Sequence, residues 1–237
     1  MSNLPTPIYS RPQQEIRNIF DRIAGRYDFL NSFLSFNQDK TWRNKAVRLS
    51  LRGTEESLLD IGTGSGAFLE EFLNQQTFGR AVGMDLSSEM LTLARRRLGS
   101  KATLLLAESE ELPFKQNEFD VVSTAFVLRS ISDVPKFFQS VHRVLKPHGR
   151  FVILELTRPS QPLMKMLYRP YLNWYLPLVG RVFSGSWNAY QFLSSSIQKF
   201  YDVGQSVEFL RQSGFNPIQV YSLTGGVCTL IIAEKVS

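Results

Sequence analysis

Cysteine is almost absent from this 237-residue sequence, with only Cys228, and histidine is represented by His142 and His148 alone. One thiol excludes an internal disulfide framework, and three such residues cannot fill a four-ligand structural zinc site, so no metal is expected. No stretch approaches the ~20 consecutive apolar residues of a spanning helix. No signal peptide is expected either, because residues 1–17 are polar and broken by Pro5, Pro7 and Pro12. These absences predict a cytoplasmic protein. With 43% apolar and 20% charged residues the chain has a globular composition, and its length suits one large α/β domain.

Acidic residues are missing from one segment. None occurs between Glu155 and Asp202, where Arg158, Lys165, Arg169, Arg181 and Lys199 contribute +5 of the net +6. Ten aromatic residues share this stretch, among them Tyr168, Tyr171, Trp174, Tyr175, Trp187 and Tyr201. A pI near 9.5 first suggests nucleic acid. A charge this localised, with no separate RNA-binding module, argues for another partner.

The first fifty residues read as helical, with Ile16, Ile19, Phe20, Ile23, Tyr27 and Leu30 spaced along one helix face. From Ser57 onward, short apolar runs alternate with helical patterns. The runs are SLLDI (57–61), RAVGMD (80–85), ATLLLA (102–107), FDVVSTA (119–125) and RFVILEL (150–156). Near-continuous apolar strands belong to a parallel sheet covered on both faces. Ser87 and Asp133 are expected helix caps, the latter with Pro135 in the tolerant first turn. Residues 146–149 are expected to turn the chain into the fifth strand. A helix over 206–212 precedes two runs, PIQVYSL and VCTLIIAE, separated by Thr224-Gly225-Gly226 as a hairpin.

The fold predicted is α/β, a doubly wound, Rossmann-like, seven-stranded sheet of five parallel β-α units plus a C-terminal antiparallel hairpin. It is expected to form a single domain over 1–237. Within it, 1–50 would be an N-terminal helical cap, 51–156 the cofactor-binding core and 157–203 an aromatic, basic helical insertion. Residues 204–237 would complete the sheet.

The sharpest local signal is Asp60-Ile-Gly62-Thr63-Gly64-Ser65-Gly66 directly after the first strand. Glycines let backbone approach a ligand closely, and the helix start that follows offers free N–H groups. Asp85 closes the second strand nineteen residues after Gly66, at the carboxyl edge where ligands of doubly wound sheets bind. Its carboxylate can accept both hydroxyls of a ribose. The spacing is G-x-G-x-G rather than the dinucleotide G-x-G-x-x-G, which argues against NAD. Glu108, after the third strand, is placed to accept from an adenine amino group.

The order DIGTGSG, GMDLSSEML, AESEELPF, FDVV and VLKPHGRFVILEL resembles the class I S-adenosylmethionine-dependent methyltransferases. More narrowly, FDRIAGRYDFLNSFLSFNQDKTWR, FVLRSISDV, LELTRPS and YSLTGGV make the chain similar, over about residues 15–235, to the ubiquinone/menaquinone biosynthesis C-methyltransferase family. Some positions depart from the family pattern. Ala67 stands where an aspartate is usual, Val127 for a glycine, Ser130 for an asparagine and Ala125 for a serine.

The resemblance implies S-adenosyl-L-methionine as cofactor, held at Asp60, Gly62, Gly64, Ser65, Asp85, Leu86, Glu108 and Ser109. It implies a prenylated quinol such as demethylmenaquinol as substrate. Carbon methylation of a quinol needs a positioned ring, a stabilised phenolate and a proton acceptor. Arg129 matches the family arginine and is expected beside the phenolate oxygen; an ion pair with Asp133 is the alternative. Tyr27 and Asp28 are expected to line the pocket or take the proton. The aromatic, basic insertion then reads as a lid and docking surface at the inner face of the membrane. Composition does not decide between a monomer and a homo-oligomer. The alternatives are a methyltransferase for another lipid or small aromatic, and an inactive membrane-associated member of the family. His142, His148 and Cys228 are expected to be structural.

Overall fold

Alternating side chains along each apolar strand sort into two cores, and this places helices on both faces of one sheet. The computed structural model describes residues 17–18, 20–22, 24–109, 112–159, 164, 166, 170 and 201–236. Strands β1 (Ser57–Ile61), β2 (Arg80–Asp85), β3 (Thr103–Leu106), β4 (Phe119–Ala125) and β5 (Leu145–Leu156) are joined by parallel pairings. β6 (Phe215–Leu223) and β7 (Cys228–Lys235) form the expected hairpin around a 3-10 turn at Thr224–Gly226, and β7 inserts antiparallel beside β5. The sheet order is β3-β2-β1-β4-β5-β7-β6. From β1 the chain winds outward to β3, then returns to β4 on the other side. That reversal leaves a crevice at the carboxyl ends of β1 and β4.

The helices are α1 (Tyr27–Leu34), α2 (Gln38–Ser50), α3 (Ala67–Gln75), α4 (Ser88–Leu98), α5 (Val134–Val144) and α6 (Val203–Gln212). Leu58, Val121, Val152 and Leu154 pack with Trp42 and Ala46 of α2 and Phe72 of α3. Their neighbours Leu59, Ile61, Val122 and Ile153 face Phe137 and Phe138 of α5 and Leu210 of α6. Each such fully buried side chain contributes roughly 1.5–3 kcal/mol. Ser87 accepts from the Met90 N–H at 3.1 Å and Asp133 from the Lys136 N–H at 3.0 Å, as capping residues should.

Three local readings needed revision. The single helix face expected through Leu30 is interrupted by a 3-10 turn at Ala24–Arg26, centred on Gly25. Glycine costs a helix about 1 kcal/mol relative to alanine, and here the chain turns before α1 begins. The last helix starts at Val203 rather than Ser206, because Asp202 and Gln205 form a reciprocal capping box. Pairing of β5 begins at Leu145, opposite Phe119, and resumes with Arg150 opposite Val121, so residues 146–149 form an irregularity within the strand. Among the aromatic and basic residues of the insertion, only Arg158 and Tyr201 are described; the rest of that reading lies outside the described residues. No helix of the described residues is long and apolar enough to cross a membrane.

Candidate active site

The carboxyl ends of β1, β2 and β4 converge on a cleft of about 710 Å³, counted out to its mouth. Gly62, Gly64, Asp85, Leu86 and Ser109 form one side, Ala125, Phe126, Val127, Ser130 and Ile131 another, and Arg17, Phe20 and Tyr27 reach in from the N-terminal segment.

The glycine loop has its shape for steric reasons. Gly62 and Gly64 have φ of 66° and 55°, a region that side chains disfavour. A β-carbon on Gly62 would lie 2.4 Å from Val127 Cγ2, and one on Gly64 would point at the Tyr27 ring, 3.8 Å away. The loop is tied to β2 by two bonds. The Thr63 N–H donates to the Met84 carbonyl at 2.9 Å and the Gly64 N–H to Asp85 Oδ2 at 2.8 Å. Asp85 Oδ1 accepts from the Ser87 N–H at 2.9 Å. Burial pushes the Asp85 carboxyl up, while the surrounding N–H groups favour its charged form. Both oxygens keep spare lone pairs. An open backbone cradle, a buried acceptor and the apolar Leu86 and Met90 suit an adenosyl group.

Asp60, 1% exposed, lies beneath the loop rather than in the cleft wall. Its Oδ1 accepts from the Ser123 hydroxyl at 2.7 Å, and its Oδ2 has no partner among the described residues. Burial pushes this carboxyl up to about 6. Ser65 is also outside the wall. Its hydroxyl donates to Asp28 Oδ1 at 2.5 Å and accepts from Arg97 Nη1 at 2.9 Å, while Arg97 Nη2 pairs with Asp28 Oδ2 at 2.6 Å. Ser87 donates its hydroxyl to Asp21. Polar contacts therefore strap the N-terminal segment to the glycine loop and to the start of α4. Glu108 is exposed and does not reach the cleft, whereas Ser109 does.

Tyr27 lines the cleft, and burial raises its phenol above the ordinary range, opposed by Asn31 and by Arg129 and Arg43. Arg129 sits in the 3-10 turn Leu128–Ser130, 8% exposed, and its guanidinium pairs with Glu155 rather than Asp133. Val127, Ser130 and Ile131 on either side of it form the wall. Phe126 holds φ at 63°, a strained conformation costing ~1–3 kcal/mol. Its ring meets Trp42 edge-on at 6.5 Å, and the Arg43 guanidinium lies 5.8 Å above it.

Arg17, Phe20, Phe126 and Glu155 were missed as site residues by sequence reasoning. Phe20 falls on the expected helix face and Phe126 within FVLRSISDV, while Glu155 stands as a lone carboxylate near the end of the apolar run RFVILEL. His142 packs edge-on against Phe215 at 5.2 Å, and Cys228 is wholly buried.

The Asp28 contacts predict the effect of removing it. The ion pair is partly exposed and contributes at most about 1 kcal/mol. Asp28→Ala should therefore weaken cofactor binding roughly five-fold in titration calorimetry, with turnover at saturating cofactor nearly unchanged. A hundred-fold loss of turnover would instead place Asp28 in the chemistry.

A model described as the ubiE/COQ5 methyltransferase family matches residues 9–235. The chain is 36% identical over 206 residues to a demethylmenaquinone methyltransferase of Thermotoga maritima, covering 86% of this chain and 90% of that protein. It is 39% identical over 224 residues to the ubiquinone/menaquinone biosynthesis C-methyltransferase UbiE of Syntrophotalea carbinolica, covering 93% and 94%. Among solved structures it resembles phosphoethanolamine N-methyltransferase 2 of Haemonchus contortus in complex with S-adenosyl-L-methionine, with a TM-score of 0.67 and 19% identity over 93% of this chain and 60% of that one. An Aquifex aeolicus SAM-dependent methyltransferase gives 0.56 at 19% identity, covering 76% and 82%. At such identities the structural likeness shows the fold, a Rossmann-like methyltransferase sheet.

Proposed function

The chain belongs to the ubiE/COQ5 methyltransferase family, and we propose that it C-methylates a prenylated quinol of the demethylmenaquinol type in quinone biosynthesis. S-Adenosylmethionine is the cofactor, and when bound it supplies an electrophilic methyl group on a sulfonium and leaves as a neutral thioether. The observation that carries the reading is the two-sided cleft. The glycine loop and Asp85 form one wall, and the turn bearing Arg129 adjoins the other.

In this reading Gly62, Gly64, Asp85, Leu86 and Ser109 hold the cofactor, with Asp85 accepting from the ribose hydroxyls. Asp60 and Ser65 act from behind, fixing the loop. The ring carbon gains a methyl group and the quinol gives up one net proton to solvent, so the enzyme must favour the phenolate that makes this carbon nucleophilic. Arg129 is permanently charged, which suits it to stabilising a phenolate and not to taking the proton. Tyr27, half-buried beside the glycine loop and facing Arg129, orients the quinol oxygen and excludes water. The segment between Glu155 and Asp202, with its aromatic residues and no acidic charge, supports docking on an anionic membrane surface, where the quinol's hydrocarbon tail resides.

The test is incubation with methyl-labelled S-adenosylmethionine and reduced demethylmenaquinone, presented in phosphatidylglycerol vesicles and in neutral detergent. Label should enter the quinone ring, faster from vesicles. No label in either medium, with cofactor binding demonstrated, overturns the assignment.

A further inference from the structure

Glu155 is the last carboxylate before the acid-free segment, and it stands at the carboxyl end of β5, 4% exposed. Its Oε2 accepts the Leu128 N–H at 3.0 Å, and its Oε1 accepts the Leu156 N–H at 3.0 Å. The same Oε1 takes Nη1 of Arg129 in a short ion pair. One buried group thus holds both the backbone of the Leu128–Ser130 turn and the guanidinium carried on it. The turn's neighbours Val127, Ser130 and Ile131 form the cleft wall.

We propose that Glu155 is a positioning residue for the reaction, fixing where Arg129 sits and how much positive charge it presents to the substrate oxygen and to Tyr27. This rests on the role given to Arg129 above. A carboxylate is a costly way to anchor a turn, because a buried ion pair is no more stabilising than well-packed apolar groups. Its specific consequence is electrostatic. Tyr27 faces Arg129, Arg43 of α2 and Asp85 of β2. Glu155 itself faces Arg129 and, from β7, Cys228, whose thiol is held well above its ordinary range by burial first and then by Glu155. Lowering the negative charge at Glu155 therefore leaves Arg129 as the group whose influence on Tyr27 and on a quinol hydroxyl increases.

Glu155→Gln keeps shape and an amide oxygen for the turn while removing the charge. Turnover should fall about ten-fold, because the guanidinium loses the ion pair that fixes its position and this outweighs its stronger field, with KM and cofactor affinity within about two-fold. The acidic limb of the rate profile should move to lower pH, because an uncompensated Arg129 stabilises the phenolate. Carbon-13 tyrosine NMR of the free protein should show Tyr27, assigned by signal loss in Tyr27→Phe, titrating at lower pH than in the parent. Glu155→Asp, which restores the charge, should return both titrations toward the parent. Unchanged turnover and an unmoved Tyr27 titration in Glu155→Gln would overturn the proposal. If that variant fails to fold, Glu155→Asp decides alone. Parent-like titrations with reduced turnover support the proposal, and full turnover overturns it. Arg129→Gln measured alongside separates the two readings: full activity there removes the role of Arg129, whereas its inactivity beside a parent-like Glu155→Gln removes only that of Glu155.

Discussion

Asp85→Ala is expected to weaken S-adenosylmethionine binding at least ten-fold, measured by titration calorimetry on the full chain. Two effects add. The carboxylate accepts the Gly64 and Ser87 N–H groups at 2.8 and 2.9 Å, so its removal frees the glycine loop from the end of β2 and the start of α4 from the same anchor. It also removes the acceptor proposed for the ribose hydroxyls. Hydrogen bonds to a charged group contribute about 1.5–3 kcal/mol each, and ten-fold corresponds to 1.4 kcal/mol, so losing one such bond suffices. The same site predicts a direction with pH. Burial raises the Asp85 carboxyl above its ordinary value, and binding needs the charged form. Affinity should therefore decline on acidification at a pH less acid than an ordinary aspartate would require. Unchanged affinity in Asp85→Ala would mean that the cofactor binds elsewhere.

The sheet was readable from sequence because each strand announces itself locally. β1, β2 and β4 begin and end where the apolar runs SLLDI, RAVGMD and FDVVSTA do, and the glycine loop follows β1 as its spacing implies. One wall of the cleft was legible for the same reason: Gly62, Gly64, Asp85 and Leu86 lie at strand ends, and topology carries strand ends to one crevice. Partnership across the sheet was not legible. Ser65 follows the loop but turns to Asp28 and Arg97, sixty-nine positions apart in the chain. The ion-pair partner that sequence spacing offers Arg129 is Asp133, four residues away, yet the guanidinium pairs with Glu155 on the adjacent strand. Helical spacing ranks neighbours along the chain, whereas ion pairs in a parallel sheet form between strand ends brought together by crossovers. The strained Phe126 leaves no trace in composition, since φ of 63° on an aromatic residue is imposed by its surroundings, among them Trp42 and Arg43.

Arg129→Gln should lower kcat by about 10²–10³-fold, the usual consequence of removing one preorganised donor to a developing oxyanion, while cofactor affinity persists. The difficulty lies in reading such a loss, because the substitution also leaves Glu155 buried without its cation. Stranding a buried charge costs about 3–5 kcal/mol of stability, so poor activity alone would not separate chemistry from unfolding. Pairing the substitution with Glu155→Gln does. The double variant has no buried charge at the turn, and its thermal midpoint should recover toward the parent. Its turnover should stay as low as that of Arg129→Gln, because a neutral turn cannot stabilise a phenolate. Arg129→Lys adds a third arm. It preserves the charge without the planar two-nitrogen fork, and should keep more activity than glutamine but less than arginine. Recovery of turnover together with stability in the double variant would mean that Arg129 serves the fold alone. The cation opposite the cofactor would then have to come from Arg43, which already bears on Tyr27 from α2, or from Arg17, which lines the cleft.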